Sequence, residues 1–159
     1  MVLTRLRKMR GWFFRALDSE GVALFQIVVY AHFAAAGSYG LFIARGAPLD
    51  VMKALGPGWA TVWLWMQLGM LLCLVGKVLV GCRALKRAGW YTAGMWLQLC
   101  GDVCAFGAFF GYVLATLQNS EWGERLTAVW GFAALSWCAL FLVVRDVRRT
   151  HQAEMEVRQ

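Results

Sequence analysis

Hydrophobic positions along this chain gather into four long runs, covering residues 22–44, 59–79, 88–117 and 126–144. Each run has at least 19 residues, which is too long for a soluble core. About 20 apolar residues, at a helical rise of ~1.5 Å, cross a hydrocarbon layer of ~30 Å. The pattern predicts an all-α, polytopic membrane protein: one domain, built as a bundle of four transmembrane helices. The intervening segments carry the stop signals. Residues 45–58 contain Gly46, Pro48, Gly56, Pro57 and Gly58, which end both flanking helices, with room for one short amphipathic turn at 49–55. Residues 118–125 are short and polar, so the third and fourth spans must be antiparallel neighbours. Inside the four runs the charged residues are Lys77, near an end, and Asp102, at a centre.

The segment before the first run has its own pattern. Val2, Leu6, Met9, Phe13 and Ala16 recur at three- and four-residue spacing, while Arg5, Arg7, Lys8, Arg10 and Arg15 lie off that stripe and Trp12 suits the headgroup level. Residues 1–18 therefore read as a cationic interfacial helix on the anionic cytoplasmic leaflet, or as a plain topogenic positive patch. Ala34–Ala36 after an apolar run imitates a signal-peptide cleavage site, but the run exceeds the ~7–15 residues of a signal core. Residues 145–159 form a charged tail, read as a solvated helical extension of the last span.

Composition adds topology. The chain is 60% hydrophobic with a net charge of +7. Thirteen basic residues fall in the N-terminal segment, the loop between the second and third spans, and the tail, against three in the other two loops. By the positive-inside rule both termini are expected in the cytoplasm of a cell bounded by an inner membrane. The asymmetry accounts for the net charge without a nucleic-acid partner. Cys73, Cys82, Cys100, Cys104 and Cys138 avoid the two outer loops, so no disulfide framework is expected.

Candidate chemistry centres on Asp102. A carboxylate at mid-bilayer costs about 2.5–3.5 kcal/mol on insertion scales, so it is expected to face the bundle interior beside a partner. Aligning the span centres brings His32, Gln67, Asp102 and Ser136 to one depth, with Gln98 one turn before Asp102. The reading is a buried polar network with His32 and Asp102 as its ion pair. A shift of 70 residues superposes the first span on the third, His32 on Asp102, as in a parallel repeat about an axis along the membrane normal. Ala36-x-x-x-Gly40 and Gly107-x-x-x-Gly111 are small-residue pairs suited to helix packing within the chain or in a homo-oligomer. The network reads either as glue fixing helix register or as a proton-responsive element. His151, the other histidine, lies in the tail, which disfavours a two-histidine haem site. No zinc spacing, phosphate loop or nucleophile triad is present, so neither metal, cofactor nor catalytic activity is expected.

At Trp63-Leu-Trp-Met-Gln67, Leu97-Gln-Leu-Cys-Gly-Asp102 and Val143-Val-Arg-Asp-Val-Arg-Arg149 the chain resembles small four-span membrane proteins of actinobacterial phages, several of them called holin-like. The resemblance implies a host inner-membrane protein that permeabilises or otherwise modifies that membrane. It departs from a typical holin in having four spans and a buried acid. Two alternatives stand beside it: a small proton-coupled carrier or sensor, and a membrane-embedded interaction subunit or exclusion factor that binds another membrane protein.

Overall fold

A computed structural model describes residues 20–81, 88–118 and 122–157. The interfacial segment 1–18, with Arg5, Arg7, Lys8, Arg10, Trp12 and Arg15, lies outside the described residues. Four long helices make up the bundle: α1 (Glu20–Ser38), α2 (Leu49–Gly81), α3 (Ala88–Gln118) and α4 (Trp122–Val157). All four contain stretches long and apolar enough to cross a membrane. Their outward surfaces are apolar: Phe25, Ile43, Val78 and Trp130 are exposed, the last to 69%. Such faces are stable in lipid, whereas in water an apolar surface this large would drive association.

α1 does not end at Ser38. Its last turn widens into a π-helical segment, Tyr39–Ile43, closed by the Ala44 N–H donating to the Tyr39 carbonyl at 2.9 Å. Ser38 contributes to the distortion by donating its hydroxyl back to the Ala34 carbonyl at 2.8 Å, a contact that bends helices. Arg45, at φ +53°, then turns the chain into a left-handed conformation that a helix cannot continue. α2 begins with the short amphipathic turn expected at 49–55, breaks at Gly56 (φ +76°), and restarts at Pro57. Glycine supplies the positive φ, and proline is preorganised for a first helical position. The membrane-crossing part of α2 is therefore 57–81.

The helices run alternately up and down. α2 packs most closely on α3, α3 on α4, and α1 lies against α2. Glycines set those distances. Gly76 faces the Gly94 carbonyl, and Gly101 rests on the backbone of Cys73. Both pairs hold α2 and α3 at near backbone contact, the packing that small residues permit in lipid. Gly37 plays the same part between α1 and the Leu64–Leu68 stretch of α2. On its far side α1 reaches α3 and α4 mainly through long side chains. Phe33 makes edge contacts with Phe109 and Phe132, with ring centroids at 4.9 and 5.8 Å. The Trp63 indole N–H donates to the Ala108 carbonyl at 2.7 Å. Trp63→Phe keeps one aromatic ring but removes the donor and the second ring of the indole, so the loss is at least that of the hydrogen bond. Thermal unfolding in detergent is expected to show a loss of at least about 1 kcal/mol, and an unchanged midpoint would mean the bond contributes nothing.

Two expectations are corrected here. The helical extension expected beyond residue 144 is present, with α4 continuing to Val157, but one face of it is not solvated: Arg145, Asp146 and Thr150 are 3–4% exposed, while Arg148 and His151 are exposed. The three buried residues sit on the face that packs against α3, so burial follows from helix phase rather than from local hydrophobicity. The seventy-residue repeat also fails, because the equivalent positions His32 and Asp102 lie in opposite environments, exposed and fully buried.

Candidate functional site

Asp102 is completely buried, and three other helices reach it. Its Oδ1 accepts from the Gln26 amide at 2.5 Å and from the Tyr30 hydroxyl at 2.7 Å. Gln26 and Tyr30 are four residues apart on α1, so one helical face delivers both donors. The same Gln26 amide lies 3.2 Å from Cys73 Sγ on α2. On the other side, Arg145 Nη2 stands 3.9 Å from Asp102 Oδ2. The guanidinium is drawn towards its neighbour, with Nε donating to Asp146 Oδ1 at 2.6 Å. One buried cation thus serves two buried carboxylates. Lys77, half-buried one turn beyond Cys73, stands within electrostatic reach of both acids.

The hydrogen-bond inventory of this cluster is uneven. Asp102 Oδ2 and Asp146 Oδ2 are buried acceptors that receive no hydrogen bond among the described residues. The two carboxyl groups are close enough to act on each other electrostatically. A proton held between them would convert two unmatched acceptors into one carboxyl–carboxylate bond, which is the arrangement that like-charged carboxylates sharing a site adopt.

Access to the cluster is one-sided. Towards the end carrying Gly81 and Val157 lies a polar cavity of about 320 Å³, lined by Tyr91, Met95, Gln98, Asp146, Arg149 and Thr150 among others. Towards the opposite end an aromatic layer of Phe33, Phe109, Tyr112, Phe132 and Trp63 closes the bundle. Asp102 is sixteen residues from Gln118, or about 24 Å along α3. Ala88, at the cavity end, is fourteen residues away, so Asp102 stands close to the middle of α3.

The residues singled out from sequence are distributed differently from the network expected. Asp102 is the hub. Gln98 lines the polar cavity. Gln67 lines a separate cavity of about 760 Å³ at the opposite end, between α1 and α2. Ser136 lines a third, of about 280 Å³, between α3 and α4. His32 is not a partner of Asp102. It is exposed, and its Nδ1 lies 2.8 Å from the Val28 carbonyl of its own helix. The reason is phase: Gln26, Tyr30 and Ala34 are buried at four-residue intervals, and His32 is two positions, about 200°, round from Tyr30. His32→Ala is accordingly expected to change stability by less than about 0.5 kcal/mol, as surface substitutions do. A larger loss on unfolding in micelles would restore it to the site.

Among the packing positions, Gly40 is buried on Leu64, Gly107 faces Met66, and Gly111 faces Trp63. Ala36 is exposed, and Gly37 beside it makes the close contact instead. Sequence reasoning missed Gln26, Tyr30, Cys73, Arg145 and Asp146. A usable signal was present: Gln26 and Tyr30 are polar residues at i, i+4 within a span, and Arg145 directly continues an apolar run.

Among the described residues no group of three or more histidine, cysteine or acidic side chains is placed to hold a metal ion. Cys73, Cys100, Cys104 and Cys138 are free thiols. Set against known protein families, characterised proteins and solved structures, the chain shows no significant match.

Proposed function

We propose that this chain is a small inner-membrane protein that takes up and releases a proton at the Asp102–Asp146 carboxyl pair, serving as a proton-coupled carrier or sensor. The observation that carries the reading is the pair itself: two buried carboxyl groups, each with an oxygen lacking a donor, sharing one guanidinium. Ionisable groups within a bundle are costly unless paired, and they mark proton and ion pathways. A purely structural ion pair would balance one acid against one base and leave no acceptor unmatched. The basic-residue count orients the cavity mouth to the cytoplasm, so in this state the pair loads its proton from that side, and the aromatic layer has to part for the proton to cross. The aromatic layer separates it from the far side, as a carrier or sensor requires and an open channel does not.

In this reading the parts have distinct tasks. Asp146 lines the cavity wall and marks the side from which a proton approaches the pair. Asp102 holds the other carboxyl in place through Gln26 and Tyr30. Arg145 keeps the pair's net charge low enough to be tolerated in a low-dielectric interior.

The test is proton uptake into proteoliposomes under an imposed potassium–valinomycin potential, followed with an entrapped pH dye. Wild type is expected to exceed protein-free vesicles several-fold. Asp102→Asn, which keeps the acceptor for Gln26 and Tyr30 but cannot ionise, is expected to fall to the protein-free rate. Equal rates for wild type, variant and empty vesicles would sink the reading. Simultaneous release of an entrapped dye of several hundred daltons would indicate a non-selective hole. That is the outcome expected of a holin-like permeabilising protein, and it too would overturn the proton-coupled reading.

A further inference from the structure

At the end of the bundle away from the polar cavity, α1, α2 and the chain joining them enclose a second cavity of about 760 Å³. That size falls within the ~300–1,000 Å³ of small-molecule sites. Its walls are mostly apolar, with Phe33, Met52, Trp63 and Leu64 among them, and two polar side chains interrupt them. Gln67 is the deep one. It is 3% exposed, lines the cavity, and its amide makes no hydrogen bond among the described residues. Unlike Oδ2 of Asp102 and of Asp146, its polar atoms are not sealed. Gly37 packs so closely here that a Cβ on it would lie 2.8 Å from the Gln67 Cβ, which fixes where the amide projects. Arg45 is the shallow one, exposed at the mouth and without an ion pair among the described residues. It is held at φ +53°. A non-glycine residue stays in that region only where its surroundings over-determine it, as they often do at ligand sites.

We infer that this cavity binds a single-chain fatty acid with a hydroxyl part-way along the chain, its carboxylate received by Arg45 and its hydroxyl by the Gln67 amide. Each part of the ligand answers one feature of the site. The guanidinium selects an anion, and its planar fork matches a carboxylate. The apolar walls reject a solute that is polar along its length, because its groups would be buried without partners. An unsubstituted chain would leave the Gln67 amide facing hydrocarbon, whereas a hydroxyl donates and accepts, as the amide does.

Spacing sets where the hydroxyl belongs. From Gly37, at the level of Gln67, to Arg45 is about 12 Å at the helical rise. An extended alkyl chain covers that length in about ten zigzag carbon–carbon bonds of ~1.5 Å. The rest of the chain leaves for the lipid past Ala36 and Tyr39, both exposed at the cavity edge. This site is distinct from the carboxyl pair, and binding there transfers no proton.

The experiment is equilibrium binding of tritiated 10-hydroxystearate to the full-length protein in nanodiscs, with protein-free discs subtracted. Stearate and methyl 10-hydroxystearate are the competitors, one lacking the hydroxyl and the other the charge. The hydroxy acid is expected to compete about ten-fold better than either, since a site built to bond a hydroxyl discriminates against its absence. Gln67→Leu is expected to weaken 10-hydroxystearate about ten-fold and leave stearate unchanged, so the preference disappears. Its unfolding midpoint should not fall, because an unpaired amide gives way to an apolar side chain of similar size. Arg45→Gln, a surface change, is expected to weaken both acids about ten-fold and leave the methyl ester unchanged. Stearate competing as well as 10-hydroxystearate for the wild type would overturn the inference, as would a Gln67→Leu variant that keeps the preference. Absence of saturable binding above empty discs would overturn it too, and that is the result expected if a phospholipid of the disc fills the cavity.

Discussion

Replacing Arg145 with methionine is expected to cost about 3–5 kcal/mol of bundle stability, the usual effect of removing one partner of a buried ion pair. Methionine fills much of the volume, so the loss is electrostatic rather than a cavity effect. Two carboxyl groups, Asp102 at 0% and Asp146 at 3% exposure, would remain without their cation. Asp146 Oδ1 would lose its 2.6 Å donor outright. The measurement is reversible unfolding in mixed micelles, with Arg145→Lys as the control that keeps the charge but not the forked geometry. Adding Asp146→Asn to Arg145→Met is expected to recover part of the loss, since one uncompensated charge is then removed. A non-additive pair of this kind is what contacting residues show. If Arg145→Met unfolds within about 1 kcal/mol of wild type, the guanidinium is not the counter-ion of the cluster and the account of the site fails at its root.

How far the sequence leads can be judged residue by residue. The four helices were legible because each apolar run exceeds the length that lipid demands, and in lipid no other element satisfies the backbone. The breaks at Arg45–Gly58 were legible from Gly56 and Pro57, whose conformational limits are intrinsic. Asp102 as the centre of the site was legible for the same energetic reason that makes a lone acid in a span costly.

Its partners were not legible, and the cause is register. Aligning the centres of apolar runs assumes that every helix begins at the same depth. α2 carries a surface turn before its kink, α3 starts at Ala88, and α4 runs past its apolar run to Val157. The true level of Asp102 meets Cys73 rather than Gln67, and Arg145 rather than Ser136. The first-span partner was lost through angle, since His32 lies at nearly the right depth but on the outward face, whereas Gln26 and Tyr30 face in. Arg145 was hidden by its position after an apolar run, where a basic residue ordinarily marks the membrane surface. Only the packing of α4 on α3 turns it inward.

The same packing supplies the second large effect. Gly101→Val is expected to destabilise the bundle by about 1–3 kcal/mol or more, the range for overpacking a filled interior. A Cβ at Gly101 would overlap the backbone nitrogen and Cβ of Cys73 and come within 2.8 Å of its Cα. Backbone atoms cannot rotate away, so α2 and α3 must separate, and no truncation of the Cys73 side chain relieves the clash. Gly107 makes the contrast, for there a Cβ meets Met66 Sδ at 2.8 Å, the mobile end of a flexible side chain. Gly107→Ala should therefore cost under about 1 kcal/mol and be rescued by trimming Met66. At Gly131, where a Cβ meets nothing within 4 Å, alanine should stabilise by up to about 1 kcal/mol through helix propensity alone. Unfolding of the three variants in one micelle system gives a ranking that depends on what each glycine touches. If Gly101→Val matched Gly107→Ala, α2 and α3 would not be in backbone contact. The shift also reaches function, because Asp102 is the next residue and Cys73 contacts Gln26, the donor to its Oδ1. Gly101→Val is thus expected to abolish proton uptake even in the fraction that folds, while Gly131→Ala leaves it unchanged.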